Sequence, residues 1–224
     1  MKERRYLRRF YEVGLVYFIT TFTKDRFPYF KESIFCELLA FEIELASHLK
    51  NFGIYGYVIM PDHIHILIQP MGDYNISKII QFIKRNSSKN INRLFDNDLL
   101  NKNPFLYKKP VGEIAQSPLR VGSIKSSDMK DMVLKFERHY LELRCQFYKK
   151  HTLDSISTIP RFQWHKSFYD HILRDNENIG DHYEYIINNP LKHSLTENPY
   201  DYRWIYIKES DDFIKPVDLD NLQK

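Results

Sequence analysis

Cysteine is scarce: Cys36 and Cys145 are the only two in 224 residues. So few thiols, so far apart, exclude a disulfide scaffold, and their apolar helical surroundings predict buried thiols in a reducing compartment, not a bridge or a metal site. Glycine is low at seven residues and proline is ordinary at ten, which excludes collagen-like repeats. No apolar run approaches the roughly 18 to 20 residues of a spanning helix. The opening Met1-Lys2-Glu3-Arg4-Arg5 also lacks the apolar stretch of a signal peptide. A cytoplasmic protein with no membrane partner is therefore expected. The 43% hydrophobic and 28% charged residues are those of a folded chain. The length suits one domain with room for an insertion, and not two full domains.

Charge is unevenly spread. The formal net value is only +4, yet residues 1–9 carry five basic side chains against Glu3. Residues 78–110 carry eight (Lys78, Lys84, Arg85, Lys89, Arg93, Lys102, Lys108 and Lys109) against Asp96 and Asp98. The last sixteen residues are net acidic. A basic arm and a basic helix on a near-neutral body suggest a groove for a polyanion, although solvated surface has the same pattern.

Periodicity outlines the fold. Residues 14–22 (GLVYFITTF) read as a strand, and residues 32–49 as an amphipathic helix stopped near Gly53. Residues 54–60 and 63–69 form an antiparallel hairpin turning at Pro61-Asp62, and a helix follows from 76 to about 95. From 96 to 160 the pattern loosens around one helix at 128–150, and this stretch reads as an insertion. An aromatic-rich strand is predicted at 162–173, then a helix over 176–189 stopped by Pro190. The tail 207–224 reads as loosely ordered. Helices alternating with strands that include a hairpin predict an α+β domain spanning 1–224, one sheet with helices mainly on one face.

Two clusters could carry chemistry. In Pro61-Asp62-His63-Ile64-His65-Ile66-Leu67-Ile68 the isoleucines face one way and His63 and His65 the other. Two imidazoles on one face can share a divalent ion, although a bare H-x-H is also the pattern of two surface histidines. In the 176–189 helix, Ile179, Tyr183, Ile186 and Ile187 form an apolar stripe. Tyr185 and Asn189 share another face with His182. A phenol ordinarily ionises near pH 10 and needs a nearby cation to act as a nucleophile, while an Asn carbonyl is a reasonable ligand for Mg²⁺ or Mn²⁺.

PDHIHILI together with SFYDHILRDNENIGDHYEYIINNPLKHSL closely resembles the HUH single-tyrosine transposases, in the REP-associated tyrosine transposase branch. The likeness covers roughly residues 10–95 and 160–206. It implies the ferredoxin-like or RRM-like sheet of HUH nucleases. It further implies that His63 and His65 are metal ligands with Asn189 as a third, and that Tyr185 is the nucleophile. The activity implied is cleavage and strand transfer of single-stranded DNA at hairpins, through a covalent 5′-phosphotyrosine and with Mg²⁺ or Mn²⁺ as cofactor. Lys84, Arg85, Lys89, Arg93, Arg174, Lys192 and His193, with Arg4 and Arg5 of the arm, are then candidate DNA contacts. Trp164, Phe168 and Tyr169 are candidates to stack on bases or to pack in the core. The chain is expected to be a monomer or a homodimer. Three other readings remain open at this point: a domesticated hairpin binder that does not cleave, a phosphoesterase that uses water, and a protein-interaction domain.

Overall fold

The computed structural model describes residues 14–96, 126–173 and 178–208, with side chains from 130 in the middle segment. Arg4, Arg5, Arg174, the stretch 97–125 and the tail beyond Lys208 lie outside the described residues.

Five strands form one sheet: β1 Tyr17–Phe22, β2 Phe52–Met60, β3 His63–Pro70, β4 Tyr169–Ile172 and β5 Ile205–Ile207. Their order is β4-β1-β3-β2-β5, and every pairing is antiparallel. The first four strands have the split-βαβ arrangement of a ferredoxin-like sheet, as expected, and β5 extends it beyond β2.

On one face lie α1 (Ser33–Lys50) and α2 (Ile76–Leu94). The α2 isoleucines recur at helical spacing, and Ile76, Ile79, Ile80, Ile83 and Ile91 are all buried. They meet Ile19, Ile64, Ile66 and Ile68 from the sheet. The inserted helix α3 (Ser126–Lys150) adds Phe136, Tyr140, Leu143 and Phe147 to the same core, with Met132 packed beside them. Each such buried side chain contributes about 1.5–3 kcal/mol, so this part of the insertion is integral to the core. Glu32 fixes the junction, accepting from the His151 imidazole (2.7 Å) and the Lys150 ammonium (2.9 Å). A short helix, α4 (Leu153–Ser157), follows.

The opposite face is covered by one helix, α5 (Ile179–Lys192), whose Tyr183 and Ile186 pack on Val58, Met60 and Leu67. Gly56 permits this edge to close. It follows a bulge in the β2–β3 register, and a Cβ there would sit 2.8 Å from Ile207 Cδ1 and 3.1 Å from the Tyr206 carbonyl.

Four local expectations are corrected. Pro190 does not stop α5, because it forfeits only its own amide: His193 N–H still donates to the Asn189 carbonyl, and Leu195 N–H to that of Pro190. The helix ends where Ser194 turns left-handed (φ 54°). Likewise α1 is stopped by Asn51 in the left-handed region (φ 50°), and Gly53 already belongs to β2. Cys145 is exposed on the outer side of α3, while Cys36 is buried as expected. The strand predicted at 162–173 is regular only over Tyr169–Ile172, its earlier part making a single bridge from Trp164 to Thr23.

Candidate active site

The sheet register builds the site. Pairing of β1 with β3 sets Phe22 opposite His63, Thr20 opposite His65 and Phe18 opposite Leu67, and partners across antiparallel strands point to the same side. That side is the one α5 covers, so both histidines are buried, each 5% exposed. The hairpin turn that presents His63 is pinned in place. The Asp62 carbonyl accepts from the Thr23 amide (2.8 Å) and hydroxyl (3.0 Å), and the Pro61 carbonyl accepts from the Phe30 amide (2.9 Å).

Each imidazole is held by its Nδ1. That of His63 lies 2.6 Å from Asp62 Oδ1, whose other oxygen accepts from Arg26 at 3.2 Å. That of His65 lies 2.8 Å from the Thr20 hydroxyl. The two rings meet edge to face, 4.9 Å between centroids. Burial lowers the His65 pKa to about 3, helped by the positive charges His63, His193 and Arg26 can carry. Burial likewise lowers His63, against the opposing pull of Asp62. Burial of the Asp62 carboxyl is outweighed by His63 and Arg26, which hold it below the usual range. Both imidazoles are therefore neutral near pH 7, and each leaves its Nε2 as the atom open to a ligand.

Helix α5 completes the site from above. The Tyr185 ring lies 5.1 Å from that of His65, and the His193 ring 5.9 Å from that of His63. Asn189 lies four residues after Tyr185 on α5 and four before His193, which caps the helix, so it shares the helix side that faces the histidine pair. It is 2% exposed, and its side-chain oxygen is buried without a hydrogen-bond partner. An orphaned carbonyl beside two neutral imidazoles is a donor set suited to a divalent cation. Among the described residues no group of three His, Cys, Asp or Glu side chains could hold a metal. Tyr185 is 39% exposed, stands edge-on to Phe18 at 5.5 Å, and carries the Lys192 ammonium 4.8 Å above its ring.

Residues 12–110 match the family model of the IS200-like transposases. Over that segment the chain is similar to the IS200-like transposases. A protein of Haemophilus influenzae named as a REP-associated tyrosine transposase is 22% identical over 191 residues, covering 85% of this chain and 78% of the relative. Among solved structures, a REP-associated tyrosine transposase bound to a REP hairpin aligns with 92% of this chain and 82% of its own, at 16% identity and a TM-score of 0.45. A transposase-like protein of Deinococcus radiodurans aligns with 62% of this chain and 97% of its own, at 19% identity and a TM-score of 0.32. The segment matched by the family model contains His63 and His65 and ends before Tyr185 and Asn189.

The expected DNA contacts separate in the structure. Lys192 and His193 lie at the site, at the end of α5. Lys84, Arg85, Lys89 and Arg93 are all on α2, across the sheet from it. Two of the four are engaged internally. Lys84 donates to the carbonyls of His165 (2.5 Å) and Ser167 (3.1 Å), and burial lowers its ammonium to about 8. Arg93 donates to Asn90 (3.1 Å) and Glu137 (3.5 Å) and lies 4.3 Å over the Tyr140 ring. Trp164 is wedged beside α2 with its indole N–H on Ser87, whereas Tyr169 is 66% exposed on β4, 6.0 Å from Phe22. Sequence reading missed Thr20, Asp62 as a partner of His63, and Arg26. The alternation of β1 would have revealed Thr20 once its pairing with β3 was known.

Proposed function

We propose that this protein is a divalent-metal-dependent endonuclease and strand transferase for single-stranded DNA, acting at DNA hairpins through Tyr185. What carries this reading is the phenol of Tyr185 set 5.1 Å from His65, on the same side as two neutral imidazoles and the unpartnered Asn189 oxygen. His63, His65 and Asn189 would hold Mg²⁺ or Mn²⁺. When bound, such an ion polarises a phosphoryl oxygen and offsets the charge that develops on it.

The remaining steps belong to the chain's own groups. Lys192 holds its ammonium 4.8 Å over the Tyr185 ring, where it can meet the phosphate that the phenol attacks. The Tyr185 oxygen gives its proton to solvent and forms a bond to phosphorus, the bond from phosphorus to the 3′ oxygen breaks, and that oxygen takes a proton from solvent to become a free 3′-hydroxyl. The product is a 5′-phosphotyrosine. Since one phosphodiester replaces another, a 3′-hydroxyl can later attack the adduct and rejoin DNA without ATP. Asp62 and Thr20 keep the imidazoles oriented throughout, and Phe18 and Phe22 wall the site against water. Arg26, Lys192 and His193 surround the opening with groups that can meet backbone phosphates.

The test is incubation with a library of end-labelled hairpin oligonucleotides plus Mg²⁺ or Mn²⁺, then denaturing electrophoresis. Label that migrates with wild-type protein only when metal is present, and never with Tyr185→Phe, is the expected result. Tight hairpin binding with no adduct under any metal would instead identify a non-cleaving hairpin binder.

A further inference from the structure

Beyond β4, away from the histidine–tyrosine face, a groove of about 590 Å³ runs between α2 and residues 162–168. Its composition is one-sided. Lys84, Arg85, His165 and Lys166 line it, Trp164 and Phe168 with Ile80 and Phe162 form an apolar wall, and Ser and Gln side chains complete the lining. No acidic residue lines it, and neither α2 nor residues 161–168 contain one.

The groove is also built. Lys84 staples the 165–167 backbone to α2 through two carbonyls, and the Trp164 indole is tied to Ser87 (2.9 Å). These bonds fix both walls in the free protein. Lys84 is thereby a strut, and the cations left for a ligand are Arg85 and Lys166, both exposed and without an ion-pair partner among the described residues. The stretch of α2 from Ser77 to Ser88 is about 16 Å long, room for several consecutive phosphates of one strand.

Position suggests what fills it. Strand β4 is the sheet edge between groove and site, and its alternation points Tyr169 toward the α5 side while Phe168 lines the groove. Tyr169, exposed at that edge and beside Phe22, is a surface on which an unpaired base can stack. We propose that this groove is a second nucleic-acid contact, in which Arg85 and Lys166 neutralise phosphates of single-stranded DNA that passes from the Tyr185 site over the β4 edge. The path from that site rests on the proposed function; the groove's affinity for a single strand does not.

The experiment measures binding of a fluorescein-labelled oligothymidylate of roughly 20 nucleotides by anisotropy, at several NaCl concentrations between about 50 and 200 mM. Each phosphate neutralised on a single strand adds about 0.7 to the slope of log affinity against log salt. Arg85→Ala/Lys166→Ala should therefore lower that slope by about 1.4 and weaken binding at low salt roughly tenfold. The double charge reversal to Glu should weaken it further, and unchanged thermal melting of both variants establishes that the fold is intact. Slopes that coincide for wild type and the Ala variant overturn the proposal, as does tighter binding of oligouridylate than of oligothymidylate. The same preparations are assayed for the Tyr185 adduct. A lowered slope without any adduct upholds the groove and removes the catalytic reading, while an adduct with coincident slopes removes the groove alone.

Discussion

Glu42 predicts how the stability of this protein varies with pH. Its carboxyl is buried in α1, 1% exposed, and accepts from the Asn90 amide of α2, with Arg93 and Lys89 of α2 and Glu137 of α3 around it. Burial raises its pKa to about 7, against an ordinary value of 4.5. An acid whose pKa is higher folded than unfolded favours the folded state while protonated in both. That stability is complete below about 4.5 and is lost as pH rises through about 7. A shift of that size corresponds to roughly 3 kcal/mol in full, most of which is lost between pH 5 and pH 8. Glu42→Gln keeps an oxygen for Asn90 and cannot ionise, so the variant should escape this loss. Urea unfolding of both proteins across that pH range measures it: the stability of wild type relative to the variant should fall by about 2 to 3 kcal/mol from pH 5 to pH 8. Parallel curves would show that Glu42 is ionised in the fold, and the reasoning from its burial would be wrong.

Other consequences are equally measurable. Asp62→Asn removes the charge that orients His63, and calorimetric titration with Mn²⁺ should show about 10- to 100-fold weaker affinity with little change in melting temperature. Arg93→Gln breaks a contact between α2 and α3 that faces away from the site; the melting temperature should fall while hairpin affinity stays within about twofold, and the reverse pattern would return Arg93 to the DNA surface. Phe147→Ala empties a fully buried position of α3 and should cost about 3 to 5 kcal/mol in chemical unfolding; a much smaller loss would mean that the inserted helix is not part of the core.

The sequence disclosed the elements whose pattern is local. The alternation in β3 separates His63 and His65 from Ile64, Ile66 and Ile68, and the isoleucine spacing of α2 marks its buried stripe, so both are legible without a partner. What stays hidden is decided between segments distant in the chain. Nothing in the residues around Thr20 announces that it will bond to His65, 45 positions later; that follows from register alone. The basic residues of α2 look alike in sequence, yet Lys84 becomes a strut, Arg93 an interhelical contact and Arg85 free surface, because their fates depend on which segments dock beside each. Helix ends misled for a smaller reason. Gly53 and Pro190 are common stop signals, but Asn51 and Ser194 take the left-handed conformation instead, a cost of order 1 kcal/mol that surrounding packing can outweigh.

Burial changes what the paired histidines can be. On a half-exposed strand two imidazoles would titrate near neutrality and exchange hydrogen bonds with water. Under α5 they are neutral, each with Nδ1 committed to a neighbour, and the helix that buries them also brings Tyr185 and the unsatisfied Asn189 oxygen. A cover serving only to bury the sheet would need apolar residues along its whole inner face, as Tyr183 and Ile186 supply over Val58 and Leu67. Placing an amide with an unpaired oxygen in that row costs about 1 to 3 kcal/mol unless something binds it. Binding of Mn²⁺ to this oxygen should therefore stabilise the wild-type fold more than it stabilises Asn189→Leu. That comparison of melting temperatures with and without metal separates a ligand set from a packing defect, since a mere defect would leave the two proteins equally responsive to metal.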